Sequence, residues 1–413
     1  ELSADGSLCN LTDFNRFKAD VDLKARTYNL GFVTAMLDPS LMREIRVPSG
    51  IGIRGNIKMD GSKYATRLAV SEGHGSMKLD AKVEIPHKRN GDMDMSRLAY
   101  QAKILARNVQ AKHFLPKQDL YSFTGTLEAK GKGTDFLSPR TRLQAKARVN
   151  QVHYGKYKLN NILAVAHIDN GRVHADVDSR NHLLTGLISL DALTNSKNLQ
   201  ATLTADVRDA NLYTLEITKK PVNASLCGHV DLKSDLKESH QIWASMSDIT
   251  LRTAEKKYRP VGVDVDIFTR RDTTHAIANC GDFHLDMDAH GGYKQLLSRF
   301  EGLQKELVRQ LKNRRIDQVK IRSQFPYGHI YLSTGKDNFI SRFISYCGYD
   351  FKQVDMNLTA SPVNGLNGYL NVDSLVASGI QLDTIRALIK TEGDTIRYSA
   401  HVQNNKNNPQ YVF

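Results

Sequence analysis

One strand–turn–strand pattern recurs in this chain and limits its fold more than any other feature. Residues Tyr157–Val177 alternate apolar and polar side chains around the tripeptide Asp169-Asn170-Gly171. Asparagine and glycine tolerate the positive φ angles that a tight hairpin turn requires. Similar patterns return at Tyr258–Ile277 and Ile380–Val402. Recurrence of this kind is typical of chains built by stacking one supersecondary unit, so the sequence predicts a repetitive β structure.

Strict alternation of apolar and polar residues predicts strands with one dry and one solvated side. The clearest examples are Phe17–Arg26, Met77–Ile85 and Leu199–Val207. Further strands are predicted at Asn29–Leu37, Leu98–Leu105, Phe123–Gly131, Leu143–Val149, Leu183–Leu190 and Phe351–Thr359. Because turns such as Asn90-Gly91 rather than helices separate most of these segments, the expected fold class is all-β.

The apolar side of these strands is rich in alanine. The alanines concerned are Ala19, Ala25, Ala81, Ala129, Ala145, Ala147, Ala201 and Ala205. A closed sandwich core needs larger interlocking side chains to reach the packing density of protein interiors. Small residues therefore indicate either two sheets that pack very close together or an apolar groove left open for another molecule. We favour the open groove.

A change from strand to helix periodicity marks the segment Tyr293–Asp317. Apolar residues recur there at helical spacing, and basic residues occupy the opposite side. Such a helix can lie on a membrane surface, cover a hydrophobic channel or pack on a neighbouring core. We expect its apolar stripe, Leu296, Phe300, Leu303 and Leu307, to lie against the groove and gate it. A second short helix is predicted at Asn338–Tyr346.

Composition limits the possible functions. The chain has 413 residues, 40% of them hydrophobic, and a formal net charge of +13, so it can fold, and the charge is explained first by solubility. No segment approaches the ~20 consecutive apolar residues of a transmembrane helix. The solvated strand faces mix lysine with aspartate and glutamate, which disfavours nucleic acid as a partner. The four cysteines, Cys9, Cys227, Cys280 and Cys347, show no metal-binding spacing and leave both buried thiols and a long-range disulfide open.

No recognisable catalytic motif is present. The segment Gly50–Gly55 matches the GxGxxG dinucleotide fingerprint, but the turn and strand residues that follow favour a strand that passes close to a neighbour. The chain contains no GxSxG nucleophile elbow, P-loop or HExxH motif. We therefore expect a non-enzymatic protein without catalytic residues or a cofactor.

The segment HLDMDAH resembles a metal site. His284, Asp286, Asp288 and His290 alternate along it and project from one strand face. Residues two apart on a strand are ~7 Å apart, so at most two of them could share an ion unless a partner strand contributes. Since Leu285 and Met287 form the dry side, a solvated outer face is the preferred interpretation and no metal is assigned.

Three segments carry a resemblance to a known family. The hairpin LNNILAVAHIDNGRVHADV, its return as LDTIRALIKTEGDTIRYSAHV and the run SPVNGLNGYLNVDSLVASGIQLDTI resemble repeats of TamB-type translocation and assembly proteins, which belong to the AsmA-like superfamily. The order of the helix, the segment FPYGHIYLSTGKDNFISRFI and the later repeats is most similar to the Bacteroidota branch.

This resemblance implies a fold and a function. The fold would be a β-taco, an elongated U-shaped sheet with an open hydrophobic groove, formed by repeats at residues 1–290 and 348–413 with a helical insertion at residues 291–347. The function would be phospholipid transport through the periplasm of a Gram-negative bacterium, in support of outer-membrane assembly and homeostasis. The implied partners are lipid acyl chains, a BamA-type outer-membrane barrel protein and the inner membrane, reached through an anchor outside this chain, which we expect to be an internal section of a longer protein.

Alternation and the resemblance together predict which residues line the groove. They are Val21, Leu23, Leu79, Val83, Leu143, Val149, Leu199, Ala201, Leu203, Ala205, Val207, Val263, Val265, Leu285 and Met287.

Two other classes of protein remain open. A transmembrane β-barrel also alternates apolar and polar residues, but the alanine-rich apolar side, the lack of an aromatic girdle and the long helix disfavour it. A secreted adhesin or glycan-binding solenoid would expose aromatic residues on its polar face, and few are predicted there.

Overall fold

The protein is all-β, as the alternation predicts, and its strands pair in antiparallel order. The computed structural model describes residues 2–10, 17–26, 48–86, 94–115, 117–195, 197–255, 257–258, 262–314, 317–377, 379–393 and 395–408. Contacts within the chain define two compact units, unit 1 (Glu1–Ser196) and unit 2 (Lys197–Phe413). The predicted strand Asn29–Leu37 and the predicted turn at Asn90-Gly91 lie outside the described residues.

Unit 1 is a meander in which each strand pairs with its neighbours in sequence. Its strands are β1 (Leu2–Cys9), β2 (Lys18–Arg26), β3 (Ile51–Asp60), β4 (Lys63–Glu72), β5 (Gly75–Glu84), β6 (Ala99–Val109), β7 (Leu120–Lys132), β8 (Arg142–Tyr154), β9 (Tyr157–Asp169), β10 (Arg172–Arg180) and β11 (Leu184–Thr194). A 3-10 turn occupies Met95–Arg97, and the single-turn helix α1 (Ala111–Phe114) follows β6. The segment Gly50–Gly55 leads into β3, which pairs with β2 and β4, so the strand interpretation of its glycines is confirmed.

Unit 2 continues the same meander pattern with helices added. Its strands are β12 (Leu199–Asn211), β13 (Asn223–Ser234), β14 (His240–Arg252), β15 (Lys257–Tyr258), β16 (Val263–Thr269), β17 (Thr273–Cys280), β18 (Phe283–His290), β19 (Tyr327–Thr334), β20 (Tyr349–Asp350), β21 (Gln353–Ser361), β22 (Gly365–Ala377), β23 (Ile380–Glu392) and β24 (Thr395–Gln403). The two-residue strands β15 and β20 pair with β14 and β22, while β14 also pairs with β16 and β19 with β21.

Among the described residues of unit 2, three helices lie between β18 and β20 in sequence. They are α2 (Tyr293–Lys312), α3 (Gln318–Ser323) and α4 (Phe339–Tyr346). Helix α2 ends at Lys312, five residues before the predicted boundary, and Asp317 instead caps α3 by accepting a hydrogen bond from the amide of Lys320. Asn338 caps α4 in the same way through the amide of Ser341, which confirms the predicted start of the second helix.

The hairpin turn at Asn170-Gly171 has the backbone that its residues predict. Asn170 and Gly171 adopt φ angles of 50° and 74° between β9 and β10. A Cβ atom at Gly171 would lie 2.3 Å from the carbonyl oxygen of Thr194, so both the backbone angle and the close approach require glycine.

Candidate functional site

The strand registers place the predicted apolar residues of unit 1 on one face of its sheet. Directly opposed residues in antiparallel strands point to the same side. Leu79 on β5 lies opposite Ile104 on β6, which lies opposite Leu127 on β7. The predicted residues that share this face are Val21, Leu23, Leu79, Val83, Leu143 and Val149. We call this surface the apolar face of unit 1 and its opposite the polar face.

Unit 2 has an apolar face of the same kind. Leu203 on β12 lies opposite Val230, and Met287 on β18 lies opposite Ala276 and Ile330. The registers carry the face onward through β21, β22 and β23 to β24. The predicted residues that share it are Leu199, Ala201, Leu203, Ala205, Val207, Val263, Val265, Leu285 and Met287.

These faces carry almost no charge. Among the register-paired positions that the structure describes on them, Glu72 at the end of β4 is the only carboxylate, and none is lysine or arginine. His113 from α1 contacts this carboxylate, with 2.5 Å between Nδ1 and Oε1. A charge that is largely removed from water costs less free energy when it has a polar partner. His113 of α1 therefore reduces the cost of placing the Glu72 carboxylate on the apolar face of unit 1.

Much of the apolar surface is incompletely covered. Leu127 and Val177 of unit 1 and Leu203 of unit 2 remain 38%, 36% and 37% exposed. Fully packed strand residues in a sandwich would be almost inaccessible. These side chains therefore form a partly exposed apolar surface.

Two cavities adjoin the apolar face of unit 1. One, of about 320 Å³, lies where α1 meets the ends of β4 and β5, and its lining includes Val70, Met77 and Phe114. The other, of about 760 Å³, includes Met59, Val83 and Tyr100 in its lining. Burial raises the pKa of Tyr100, because partial removal from water disfavours the charged phenolate.

In unit 2, helix α4 covers one end of the apolar face. Phe339 and Ile340 pack against a cluster formed by Ile249, Val263 and Cys280. Phe339 and Tyr346 also contact a second cluster, which consists of Val222, Ala224 and Leu251. The sequence predicted that this helix has an apolar side but did not reveal which surface that side would meet.

Helix α2 begins at the opposite end of the same face. The amide of Tyr293 donates a hydrogen bond to Oγ1 of Thr269, and its ring stacks edge-on against His240. Leu296 in the first turn is buried, whereas Phe300 and Leu307 are 46% and 39% exposed. The contacts thus anchor the start of the predicted gating stripe, and Phe300 and Leu307 stay open to solvent.

On the polar face of unit 2, the strand register adds one residue to a cluster that the sequence indicated. His284, Asp286, Asp288 and His290 lie on the polar side of β18, with Leu285 and Met287 on the apolar side, as predicted. The neighbouring strand β17 adds His275 opposite Asp288. Sequence reasoning missed His275 because only the register shows which residue of a partner strand lies opposite.

The four cysteines are all free thiols: Cys9 and Cys227 are exposed, Cys347 is half-buried and Cys280 is buried beneath α4. The structure thus shows no disulfide among these four residues, and only Cys280 is the buried thiol that the other alternative described.

Comparisons with known proteins add no identification. Neither the protein-family models, the curated proteins nor the solved structures contain a match to this chain. Within the described residues, no helix combines the length and apolarity needed to cross a membrane.

Proposed function

We propose that the apolar faces of this protein hold the acyl chains of phospholipids and guide them between two membranes. The observation that carries the proposal is the continuity of a partly exposed apolar face, almost free of charge, across the strands of each unit. Residues predicted from the alternation of apolar and polar side chains and from the resemblance share these faces. The alanine side chains between them are small, which favours an open groove over a closely packed core.

The energetics of such a surface suit a transported lipid. Each methylene group removed from water gains ~0.8 kcal/mol, so about ten methylene groups would gain ~8 kcal/mol before ordering costs. This attraction is non-directional, and similar side chains along the face would give similar affinities from one position to the next. An acyl chain could then move along the face without a high barrier.

The proposal includes the setting that the TamB-type resemblance implies. In that setting the chain lies in the periplasm of a Gram-negative bacterium, within a protein anchored in the inner membrane by a segment outside this chain, and a BamA-type barrel protein receives it at the outer membrane. The U-shaped β-taco and the gating role of α2 belong to the same proposal. Transport of this kind needs no catalytic residue or cofactor.

Crosslinking at two adjacent residues tests the proposal. Leu203 lies on the apolar face of unit 2, and Thr204, the next residue along β12, lies on the polar face. A photo-activatable amino acid at Leu203 should form phospholipid adducts in cells, whereas the same amino acid at Thr204 should form few. Equal labelling at both positions, or none at either, would contradict the proposal.

A charge on the apolar face gives a functional version of this test. Leu203→Lys should abolish lipid adducts at a second apolar position such as Leu232, because an unpaired charge in an apolar surface repels the acyl chain. Thr204→Lys is the matched control and should leave those adducts unchanged. Circular dichroism of both purified variants would show whether the fold is retained.

A further inference from the structure

The polar face of unit 2 brings together three side chains of types that can ligate a metal ion. Asp286 and Asp288 alternate on β18, and His275 lies opposite Asp288 on β17. One ligand atom from each of the three lies within 4.8 Å of the other two. The geometry points to a binding site for one divalent metal ion of the zinc type, with His275, Asp286 and Asp288 as its protein ligands. This inference is independent of the proposed lipid transport, which uses the opposite face.

The carboxylate of Asp286 is the strongest single argument for a bound cation. Its Oδ1 atom is inaccessible to water and has no hydrogen-bond partner among the described residues. A buried polar atom without a partner costs about 1–3 kcal/mol, and more when it carries charge. A cation held by His275 and Asp288 would give the carboxylate of Asp286 a partner that the described residues do not give its Oδ1 atom.

The surrounding charge favours a cation as well. Among the described polar-face positions of β16–β19, four are aspartates, Asp264, Asp266, Asp286 and Asp288, and none is lysine or arginine. This is unusual in a chain with 57 lysine and arginine residues against 44 aspartate and glutamate residues. Excess negative charge on one part of a basic protein raises the local concentration of cations.

On the polar face of unit 1, a second cluster of one histidine and two aspartates has its histidine hydrogen-bonded to both aspartates. His174 contacts Asp191 through Nδ1 at 2.7 Å and Asp176 through Nε2 at 3.1 Å. In the unit 2 cluster the described contact of His275 uses Nδ1 alone, at 2.7 Å from Oδ1 of Asp288. Asp286 is thus left without the histidine contact that Asp176 has.

The ligand set indicates which ion would bind. Imidazole nitrogen suits zinc and other first-row transition ions, whereas calcium and magnesium take oxygen ligands. Three protein ligands with an open fourth position, filled by water, form a typical zinc arrangement outside closed structural sites. Because the ligands come from two paired strands, the ion would also tie β17 to β18.

Zinc titration of the purified chain tests the inference. After dialysis against a chelator, the protein should take up one Zn²⁺ per chain in competition with a zinc-indicator dye. Asp286→Asn and His275→Gln should each weaken this binding by roughly tenfold or more, since even altered outer-shell partners of metal ligands cost 10–100-fold. Co²⁺ in place of Zn²⁺ should give a visible absorption band in the wild type that both variants lack.

The histidine cluster of unit 1 supplies the matched control. His174→Gln removes a histidine flanked by two aspartates and should leave Zn²⁺ uptake unchanged. Unaltered uptake by both Asp286→Asn and His275→Gln would overturn the inference. Equal loss in His174→Gln would also overturn it, as would Ca²⁺ binding as tightly as Zn²⁺. His275 is partly exposed, so His275→Gln provides a result even where Asp286→Asn fails to fold.

Discussion

At one end of the unit 2 apolar face, helix α4 covers the strands, whereas Leu203 on the same face remains 37% exposed. Beneath α4, Ile249 and Leu251 are 1% and 0% exposed. The strands of both regions use the same alternation of apolar and polar side chains. The alternation therefore determines which side of a strand is apolar. How far that side is buried depends on whether another element, such as α4, covers it.

Truncation of one leucine in each region tests most directly whether the covered region is packed more tightly than the uncovered one. Leu251→Ala should lower the free energy of unfolding by about 2–5 kcal/mol, because it leaves a cavity beneath α4. Leu203→Ala should lower it by about 1 kcal/mol or less, since the side chain is already partly in water. Urea denaturation of the purified variants measures both, and equal losses would show that the two regions are equally well packed.

Removal of the α4 cap tests whether the helix itself creates the covered region. Asn338 is fully buried; its Oδ1 accepts from the amide of Ser341, and its Nδ2 donates to Asp282 and Thr334. Asn338→Ala loses the cap and leaves buried partners unsatisfied, so we expect a loss of about 2–4 kcal/mol.

The cap of α3 is the control for this variant. Asp317→Ala should cost about 1 kcal/mol or less, because that helix is short and its cap is accessible. Hydrogen exchange should show faster opening at Val263 and Cys280 in Asn338→Ala alone. Unchanged exchange there would mean that these residues stay protected without α4.

Changes on the polar faces should affect the free energy of unfolding least. On the polar face of unit 1, the pKa of His174 makes the effect measurable. Asp191, and then Asp176, hold the pKa of His174 above its ordinary value of 6.5. Since the folded-state pKa is the higher one, the stabilisation is complete below about pH 6.5 and is lost as the pH rises through the folded-state pKa. Because the cluster is exposed, its effect on the free energy of unfolding should be smaller than the effects of Leu251→Ala and Asn338→Ala.

An NMR titration of the His174 ring checks this prediction. Asp191→Asn should move the pKa of His174 back towards 6.5. Asp178→Asn, on the same strand but hydrogen-bonded to Arg180, should leave it in place. A wild-type pKa at or below the ordinary value would show that the two aspartates do not hold the imidazolium in solution.

The fold and the apolar faces were predictable from sequence because alternation is a local property. Strands β2, β5 and β12 each read plainly from their own residues, and Asn170-Gly171 marks its own turn. Contacts between elements were not predictable. Phe339 and Ile340 indicated that α4 has an apolar side, but the sequence did not show which apolar surface that side would pack against.

The polar cluster shows the same limit at the level of single residues. Asp286 and Asp288 stand out in the segment HLDMDAH, and their spacing permits at most a shared pair. His275 belongs to a different strand, and it reaches Asp288 only through the particular register of β17 on β18. A slip of one residue would move His275 to the other face.

The meander order of the strands makes the length of each sheet adjustable. In unit 1, β7 pairs with β8, β8 with β9 and β9 with β10, each antiparallel. Deletion of the hairpin β8–β9 would leave β7 able to pair with β10 in the same orientation, whereas loss of one strand alone would reverse every direction after it. We therefore expect the chain to tolerate gain or loss of whole hairpins, as repeat proteins do. Cooperative thermal unfolding of a chain that lacks residues 142–169, and its loss in one that lacks only residues 142–154, would show this modularity directly.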